Sequence, residues 1–249
     1  MLKTAIHSML RSVGYDVVKY DLHRQRMRSD LRFGLNVFGL VVDDYFKSHR
    51  AEDTTLLQIG ANDGVQQDPV RPILVERGLR AILVEPIPEV YEQLRANYSG
   101  FAHVETVNSA IGTSDGKLKL YMLNPGSAGE SSLIASFDEA SVENFRQMWK
   151  LPREQMAAME VPCLTVKTIL AKSGLTRVNI AAVDTEGMDH LICRQLLDLD
   201  PPPEIIHFEY ANCPEFEVRD VLSQLQRMNY AVARSGLDMT ATNCMPALG

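Results

Sequence analysis

The sequence predicts an α/β fold with a doubly wound, mostly parallel sheet. From Thr54 onward, short apolar runs alternate with amphipathic segments of helical period, which is typical of strands joined by crossover helices. The apolar runs show little polar alternation, as expected for strands covered by helices on both faces. Apolar and charged residues make up 45% and 23% of the 249 residues, which excludes fibrous and disordered classes.

The predicted elements follow one another in the order that such a sheet requires. Six strands are predicted, over residues 54–59, 81–84, 102–108, 118–123, 179–183 and 205–210. Four helices are predicted, over residues 69–77, 88–97, 189–199 and 215–228. Between them, residues 124–160 break the pattern with Pro125, Gly126 and Gly129. A long irregular insert of this kind predicts a lid, a binding loop or a disordered segment.

Residues 1–50 are predicted to be a helical extension of a main domain over residues 51–249. The extension holds nine Lys/Arg against five Asp/Glu, a net charge of +4. A solvated helix face is the plain interpretation, and weak contact with an anionic membrane or an acidic partner is the alternative. No apolar run approaches the roughly 20 residues that span a bilayer, and the N-terminus lacks a signal-peptide pattern. These features predict a cytoplasmic protein.

Charge and cysteine content exclude several classes. The net charge of −7 argues against a nucleic-acid partner, because phosphate binding needs a basic surface. The four cysteines form no CxxC pair, so neither a zinc site nor a disulfide framework is expected. Oligomeric state is left open by the sequence.

The most specific motif is LLQIGANDG, residues 56–64, where a buried strand runs into two glycines four residues apart. Gly60 and Gly64 allow a tight turn and close approach of a ligand, at the strand end where α/β sheets bind ligands. The chain contains neither GxGxxG nor GxxxxGK[ST]. The turn therefore favours a cofactor without pyrophosphate; a strand-to-helix turn without a ligand is the plain alternative.

A second candidate is Glu85, at the end of the next strand, in ILVEPIPEVYEQL. A carboxylate at this position can accept hydrogen bonds from both ribose hydroxyls of an adenosine cofactor.

Two further strands end in candidate catalytic residues. Asp184 and Glu186 follow the strand in NIAAVDTEGMDHL, where they can orient a nucleophile, take up a proton or hold a cation, or simply cap a helix. His207 and Glu209 alternate in EIIHFEY and so share one sheet face. His207 is either a general base or a satisfied core histidine.

Together these segments resemble the FkbM family of methyltransferases over roughly residues 54–242. Besides the glycine turn and the Glu85 segment, the matching pieces are VNSAIGTSDGKLKLY, GESSLIAS, AAVDTEG, IIHFEY and SGLDMTAT. The chain departs from the common family pattern at Ala182, often a lysine, and at Gln58, often acidic.

The resemblance implies a class I, Rossmann-like methyltransferase fold, S-adenosylmethionine as donor, and mostly O-methylation of glycan or natural-product hydroxyls. It also assigns residues to three parts of the site. The cofactor would contact Gly60, Asn62, Gly64, Glu85, Asn108, Ala110 and Asp184. The acceptor loop would carry Ser131 and Ser132. The reacting centre would be faced by Asp184, Glu186, His207 and Glu209.

For methyl transfer to a hydroxyl, the enzyme must align the two reactants and remove one proton. His207 or Asp184 is the expected base, and a Mg²⁺ ion held by Asp184 and Glu186 is the alternative role of these carboxylates. Two other functions stay open: a non-catalytic cofactor-binding scaffold and an NAD-dependent oxidoreductase. A nucleic-acid methyltransferase is disfavoured because no [DN]PP[YF] motif occurs.

Overall fold

The computed structural model describes residues 36–123 and 134–244. That part of the chain contains seven α-helices and eleven strands in two sheets. The helices are α1 (Val37–Tyr45), α2 (Arg71–Arg77), α3 (Pro88–Asn97), α4 (Glu139–Met148), α5 (Val166–Ser173), α6 (Asp189–Leu197) and α7 (Glu215–Arg227). The strands are β1 (Thr55–Ile59), β2 (Arg80–Val84), β3 (Val104–Val107), β4 (Ala110–Ile111), β5 (Gly116–Leu123), β6 (Ile134–Ser136), β7 (Met156–Leu164), β8 (Ile180–Val183), β9 (Ile205–Glu209), β10 (Ala231–Ser235) and β11 (Asp238–Thr242).

The larger sheet is doubly wound and mostly parallel, as the sequence predicts. Its seven strands lie in the order β10-β11-β9-β8-β1-β2-β3, with β11 antiparallel to β9 and to β10. The chain moves outward from β1 to β3 and then returns to the other side of β1 at β8. This reversal opens a crevice at the carboxyl ends of β1 and β8, where doubly wound sheets bind their ligands.

Apolar strands place the core on both faces of this sheet. Successive residues of a strand point to opposite faces, and in β1 Leu56 and Leu57 belong to different clusters of buried side chains. Helices α5, α6 and α7 cover the face of Leu57, whereas α1, α2 and α3 cover that of Leu56. Burial on both faces explains why β1, β2 and β8 lack polar alternation.

Helix α1 packs on the sheet through Phe38, Val42 and Tyr45, all of which are buried. The helix begins at Asn36, whose side chain accepts a hydrogen bond from the Gly39 N–H group at 2.9 Å. Leu40, in the same helix, is 53% exposed. Residues 1–35 of the predicted extension lie outside the described residues, and its boundary at residue 50 stays a prediction.

The prediction of an irregular insert over residues 124–160 is wrong for its described part. Residues 134–160 contain β6, α4, a short 3₁₀ turn at Arg153–Gln155 and most of β7. Strands β4, β7, β5 and β6 form a separate four-stranded sheet in that order. The predicted strand over residues 118–123 belongs to this sheet. Strand β5 pairs with β7, which lies far from it in the sequence. The periodicity of a single segment cannot reveal such a pairing.

Within residues 36–123 and 134–244, none of the helices is long and apolar enough to cross a membrane.

Candidate active site

A cleft of about 770 Å³ lies at the carboxyl ends of β1, β2 and β8 and is open to solvent. Three sequence motifs meet there: the glycine turn, the Glu85 segment and the loop after β8. The smaller sheet supplies the opposite wall. The lining comprises Ile59, Gly60, Asn62, Glu85, Pro86, Ile87, Val90, Ser109, Ala110, Ile111, Leu120, Ala135, Phe137, Asp184, Thr185 and Glu186.

The turn after β1 requires glycine at both ends. Gly60 has φ +80°, and a Cβ atom there would lie 1.7 Å from the Asp184 carbonyl oxygen. Gly64 has φ +69°, and a Cβ atom there would lie 2.5 Å from the Tyr98 ring. Gly60 and Asn62 line the cleft, whereas Gly64 is packed behind the turn. The turn therefore brings backbone close to the end of β8 and to the cleft at once.

Glu85 presents a buried carboxylate to this cleft, with 5% of its surface exposed. Its Oε2 accepts a hydrogen bond from the Asn62 N–H group at 3.0 Å, and its Oε1 accepts one from the Ile87 N–H group at 2.9 Å. Burial raises the pKa of Glu85 to about 7. Each carboxylate oxygen has a second acceptor site, so both can still receive a ligand hydroxyl.

Asn108 supports Glu85 from outside the cleft. Its side-chain amide donates to the carbonyl oxygens of Glu85 and Pro86, at 2.9 and 3.1 Å. Ser109 and Ala110, which follow it, line the cleft. Asn108 itself does not line the cleft, and its contact with the cofactor stays a prediction.

An apolar wall faces the carboxylate of Glu85. Its side chains include Val90 of α3, Leu120 of β5 and Phe137, which directly follows β6. The sequence does not indicate these residues as part of the site, because they come from segments that meet only in the folded chain. A buried acceptor beside an apolar slot fits an adenosine group, whose ribose donates hydrogen bonds and whose ring is planar and apolar on its faces.

Three carboxylates gather at the carboxyl ends of β8 and β9. One oxygen from each of Asp184, Glu186 and Glu209 lies within 4.8 Å of the others. Asn212, which the sequence interpretation missed, bridges two of them: its amide donates to Glu186 Oε2 at 2.5 Å and to Glu209 Oε2 at 2.8 Å. Asp184 and Glu186 line the cleft. Two members of the cluster thus border the same cleft as Gly60 and Glu85.

Asp189 holds the loop that carries Asp184 and Glu186. Its Oδ2 accepts hydrogen bonds from Thr185 Oγ1 at 2.9 Å and from the Gly187 N–H group at 3.3 Å. Burial, with a further effect of the Asp184 charge, raises the pKa of Asp189 to about 7. The loop is tightly bent, with φ +55° at Glu186 and +122° at Gly187, so these bonds keep a strained backbone in place.

His207 lies on the same sheet face as Glu209 but deeper, under α1. Its ring stacks on Phe38 with centroids 4.5 Å apart, and its Nδ1 is 3.0 Å from Thr240 Oγ1. Burial lowers the pKa of His207 to about 4, which makes it a poor base at neutral pH. The structure therefore brings Asp184, Glu186 and Glu209 together but does not bring His207 to them. Ser131 and Ser132 lie outside the described residues.

Replacing His207 with Ala is expected to lower stability by about 2–4 kcal/mol, because the ring contact and the partner of Thr240 are both lost. Thr240→Val removes only the hydrogen bond to His207 and keeps the ring contact, so it should lower stability by less than His207→Ala. The stabilising contribution of His207 should also decline as pH falls from 6.5 towards 4, since the unfolded chain is protonated first. Thermal melts measure both effects. Lost methyl transfer in a variant of unchanged stability would instead place His207 in catalysis.

Comparison with known proteins identifies the family. A family model described as the methyltransferase FkbM domain matches residues 58–232. No curated protein matches the chain. Solved structures that resemble it include a precorrin-6y C5,15-methyltransferase from Geobacter metallireducens, at 12% identity over 82% of this chain and 86% of that chain, with a TM-score of 0.39.

Two other solved structures have the same degree of similarity. An S-adenosylmethionine-dependent methyltransferase from Aquifex aeolicus is 13% identical over 90% of this chain and 97% of that chain, with a TM-score of 0.39. Fibrillarin from Aeropyrum pernix, solved with natively bound S-adenosyl-L-methionine, is 8% identical over 77% of this chain and 67% of that chain, with a TM-score of 0.39.

The family match covers more than half of the chain and includes Gly60, Glu85 and the Asp184 loop. The predicted fold class and cofactor class are confirmed: the protein is an S-adenosylmethionine-dependent methyltransferase with the class I α/β fold. The chain belongs to the FkbM methyltransferase family.

Proposed function

We propose that the protein transfers a methyl group to a hydroxyl oxygen of a sugar-containing or natural-product acceptor. The observation that supports this most strongly is the cluster of Asp184, Glu186 and Glu209 beside the cofactor cleft. Carboxylates accept hydrogen bonds from hydroxyl groups and can take up a proton. The same negative charge repels phosphate and other anions, which favours neutral, hydroxyl-rich acceptors.

In this proposal, Glu85 binds the ribose hydroxyls and the apolar wall around Val90 and Phe137 holds the adenine ring. S-adenosylmethionine supplies an electrophilic methyl group when it is bound. Asp184 accepts the acceptor hydroxyl's hydrogen bond at a carboxylate oxygen and removes its proton as the oxygen is methylated. Glu186 and Glu209, joined by Asn212, orient the acceptor. Asp189 keeps the loop in position.

We expect Glu85→Gln to weaken cofactor binding by about 10- to 150-fold, because a charge-assisted acceptor for the ribose is lost. Glu89→Gln is a matched control, since Glu89 is exposed and lies only four residues away outside the cleft. Calorimetry with S-adenosylmethionine and with its demethylated product measures both variants. Equal affinities for wild type and Glu85→Gln would contradict the assignment.

Cofactor affinity should also rise with pH through about 7. In the free protein the pKa of Glu85 is about 7, and hydrogen bonds from ribose hydroxyls favour the ionised carboxylate. Binding below pH 7 must then release a proton. Calorimetry in two buffers of different ionisation enthalpy measures this release. In Glu85→Gln the release should disappear; a release that persists would point to another group, such as Asp189.

The acceptor class is tested in a strain that carries the gene. Mass spectrometry compares surface glycans and extracted small molecules from that strain and from a deletion strain. Loss of methyl groups from a hydroxyl-bearing product upon deletion supports the proposal. Loss of methylation on nitrogen or carbon instead would replace it with another acceptor chemistry.

The same carboxylates have an alternative role, which is to bind Mg²⁺. Carboxylate oxygens are its preferred ligands, and three lie within 4.8 Å of one another. Dialysis against a chelator separates the two roles. Activity that is lost and then restored by Mg²⁺ assigns Asp184 and Glu186 to the metal, whereas unchanged activity leaves them to proton transfer and acceptor binding.

A further inference from the structure

The C-terminal hairpin of β10 and β11 brings one more carboxylate to the edge of the sheet that carries the active site. In the antiparallel pair of β11 and β9, Asp238 lies directly opposite Glu209. Directly opposite residues share a sheet face, and the hydrogen bond between Thr240 and His207, two positions along, confirms which side chains share it. Asp238 therefore lies on the same face as Glu209.

The register of the neighbouring strands places Asp238 and Glu209 in line with Asp184 and with Gly60 of the glycine turn. Val183 pairs with Phe208, so Asp184 is level with Glu209. On its other side Ile59 pairs with Val183, so Asp184 is level with Gly60. Gly60, Asp184 and Glu209, at the ends of β1, β8 and β9, and Asp238, at the start of β11, thus form one row across four neighbouring strands. With strands spaced about 4.8 Å apart, the backbones of Asp238 and Asp184 lie roughly 10 Å apart, with Asp238 on the side away from Gly60.

Asp238 has the surroundings of a residue that is available to a ligand. It is partly buried, and no described residue forms a hydrogen bond or an ion pair with its carboxylate. Burial and the Asp184 charge raise the pKa of Asp238 to about 6. A partly buried carboxylate without donors is destabilised, which a donor from a bound molecule would relieve.

We propose that Asp238 binds a second hydrogen-bond donor of the acceptor, so that the acceptor lies along the row from Asp184 to Asp238. This inference rests on the proposed methyl transfer to a hydroxyl. A single hydroxyl group cannot span roughly 10 Å. The acceptor is therefore a polyhydroxyl molecule that carries a hydroxyl or amine at the Asp238 end and no anionic group there. Asp238 acts in binding and specificity, and Asp184 acts at the reacting oxygen.

The test uses the unmethylated acceptor fraction isolated from the deletion strain, together with the full-length protein. Asp238→Asn keeps the shape of the side chain and removes its charge. It should raise the KM for this fraction about 10- to 100-fold, with kcat and cofactor affinity within about threefold of wild type. Asp198→Asn is the matched control, because Asp198 is exposed at the end of α6 and does not line the cleft. Thermal melts confirm that both variants are folded.

The outcomes separate this inference from the proposed function. If wild type methylates the fraction and Asp238→Asn raises only the KM, the inference stands. If Asp238→Asn keeps the wild-type KM, or lowers kcat alone, the inference is overturned and the proposed function survives. If deletion changes no hydroxyl-bearing product, the proposed function fails and the inference fails with it. Asp238→Glu, which restores the charge, should recover part of the lost affinity.

Discussion

Gly60→Ala is expected to destabilise the protein by about 2–5 kcal/mol, the sum of left-handed strain at about 1–2 and overpacking at about 1–3. The added Cβ would lie 1.7 Å from the Asp184 carbonyl oxygen, so the ends of β1 and β8 must move apart. Because this displaces Asn62 and Asp184 at the cleft, cofactor affinity should fall about 100-fold. Denaturant titration and calorimetry measure the two effects.

Gly78→Ala separates the effect of backbone strain from the effect of a steric clash. Gly78 also has a left-handed backbone, with φ +66°, but a Cβ there meets nothing within 4 Å. This variant should lose only about 1–2 kcal/mol and keep its cofactor affinity. If both glycine variants were equally stable and bound the cofactor equally well, the close approach of β1 and β8 would not be what requires glycine at residue 60.

Asp184→Asn is expected to lower the rate of methyl transfer by about 10²–10⁴-fold, the usual cost of losing a general base. The amide preserves the size of the side chain, so cofactor affinity should change little. Single-turnover reactions with the acceptor fraction measure the chemical step, and calorimetry measures binding. Glu209→Gln should have a smaller effect on the rate, because Glu209 does not line the cleft.

Two other outcomes for Asp184→Asn would change the role assigned to Asp184. Full single-turnover rates in folded Asp184→Asn would mean that another group takes the proton. Glu186 is then the next candidate, since it also lines the cleft and shares the Asn212 amide with Glu209. A rate that falls only because the cofactor no longer binds would assign Asp184 to cofactor binding alone.

Local patterns in the sequence predicted the five parallel strands of the larger sheet, but not the antiparallel hairpin of β10 and β11 at its edge. The predicted strand over residues 179–183 differs from β8 by one residue, and the predicted helix over residues 88–97 coincides with α3. The sequence also indicated Gly60 and Glu85 as candidate site residues. A turn that needs positive φ and a carboxylate at a strand end each leave a signal within a few neighbouring residues.

Long-range pairing determined the remainder of the site. The smaller sheet, the apolar wall at Leu120 and the bridge from Asn212 depend on segments that meet only in the folded chain, so local periodicity carries no trace of them. His207 and Glu209 have the same alternating pattern in β9, yet one lies under α1 and the other reaches the carboxylate cluster. The sequence alone identified β9 as a strand and its polar face. Only the tertiary structure decided what covers each position of that face, because helix packing on a sheet depends on which distant side chains arrive there.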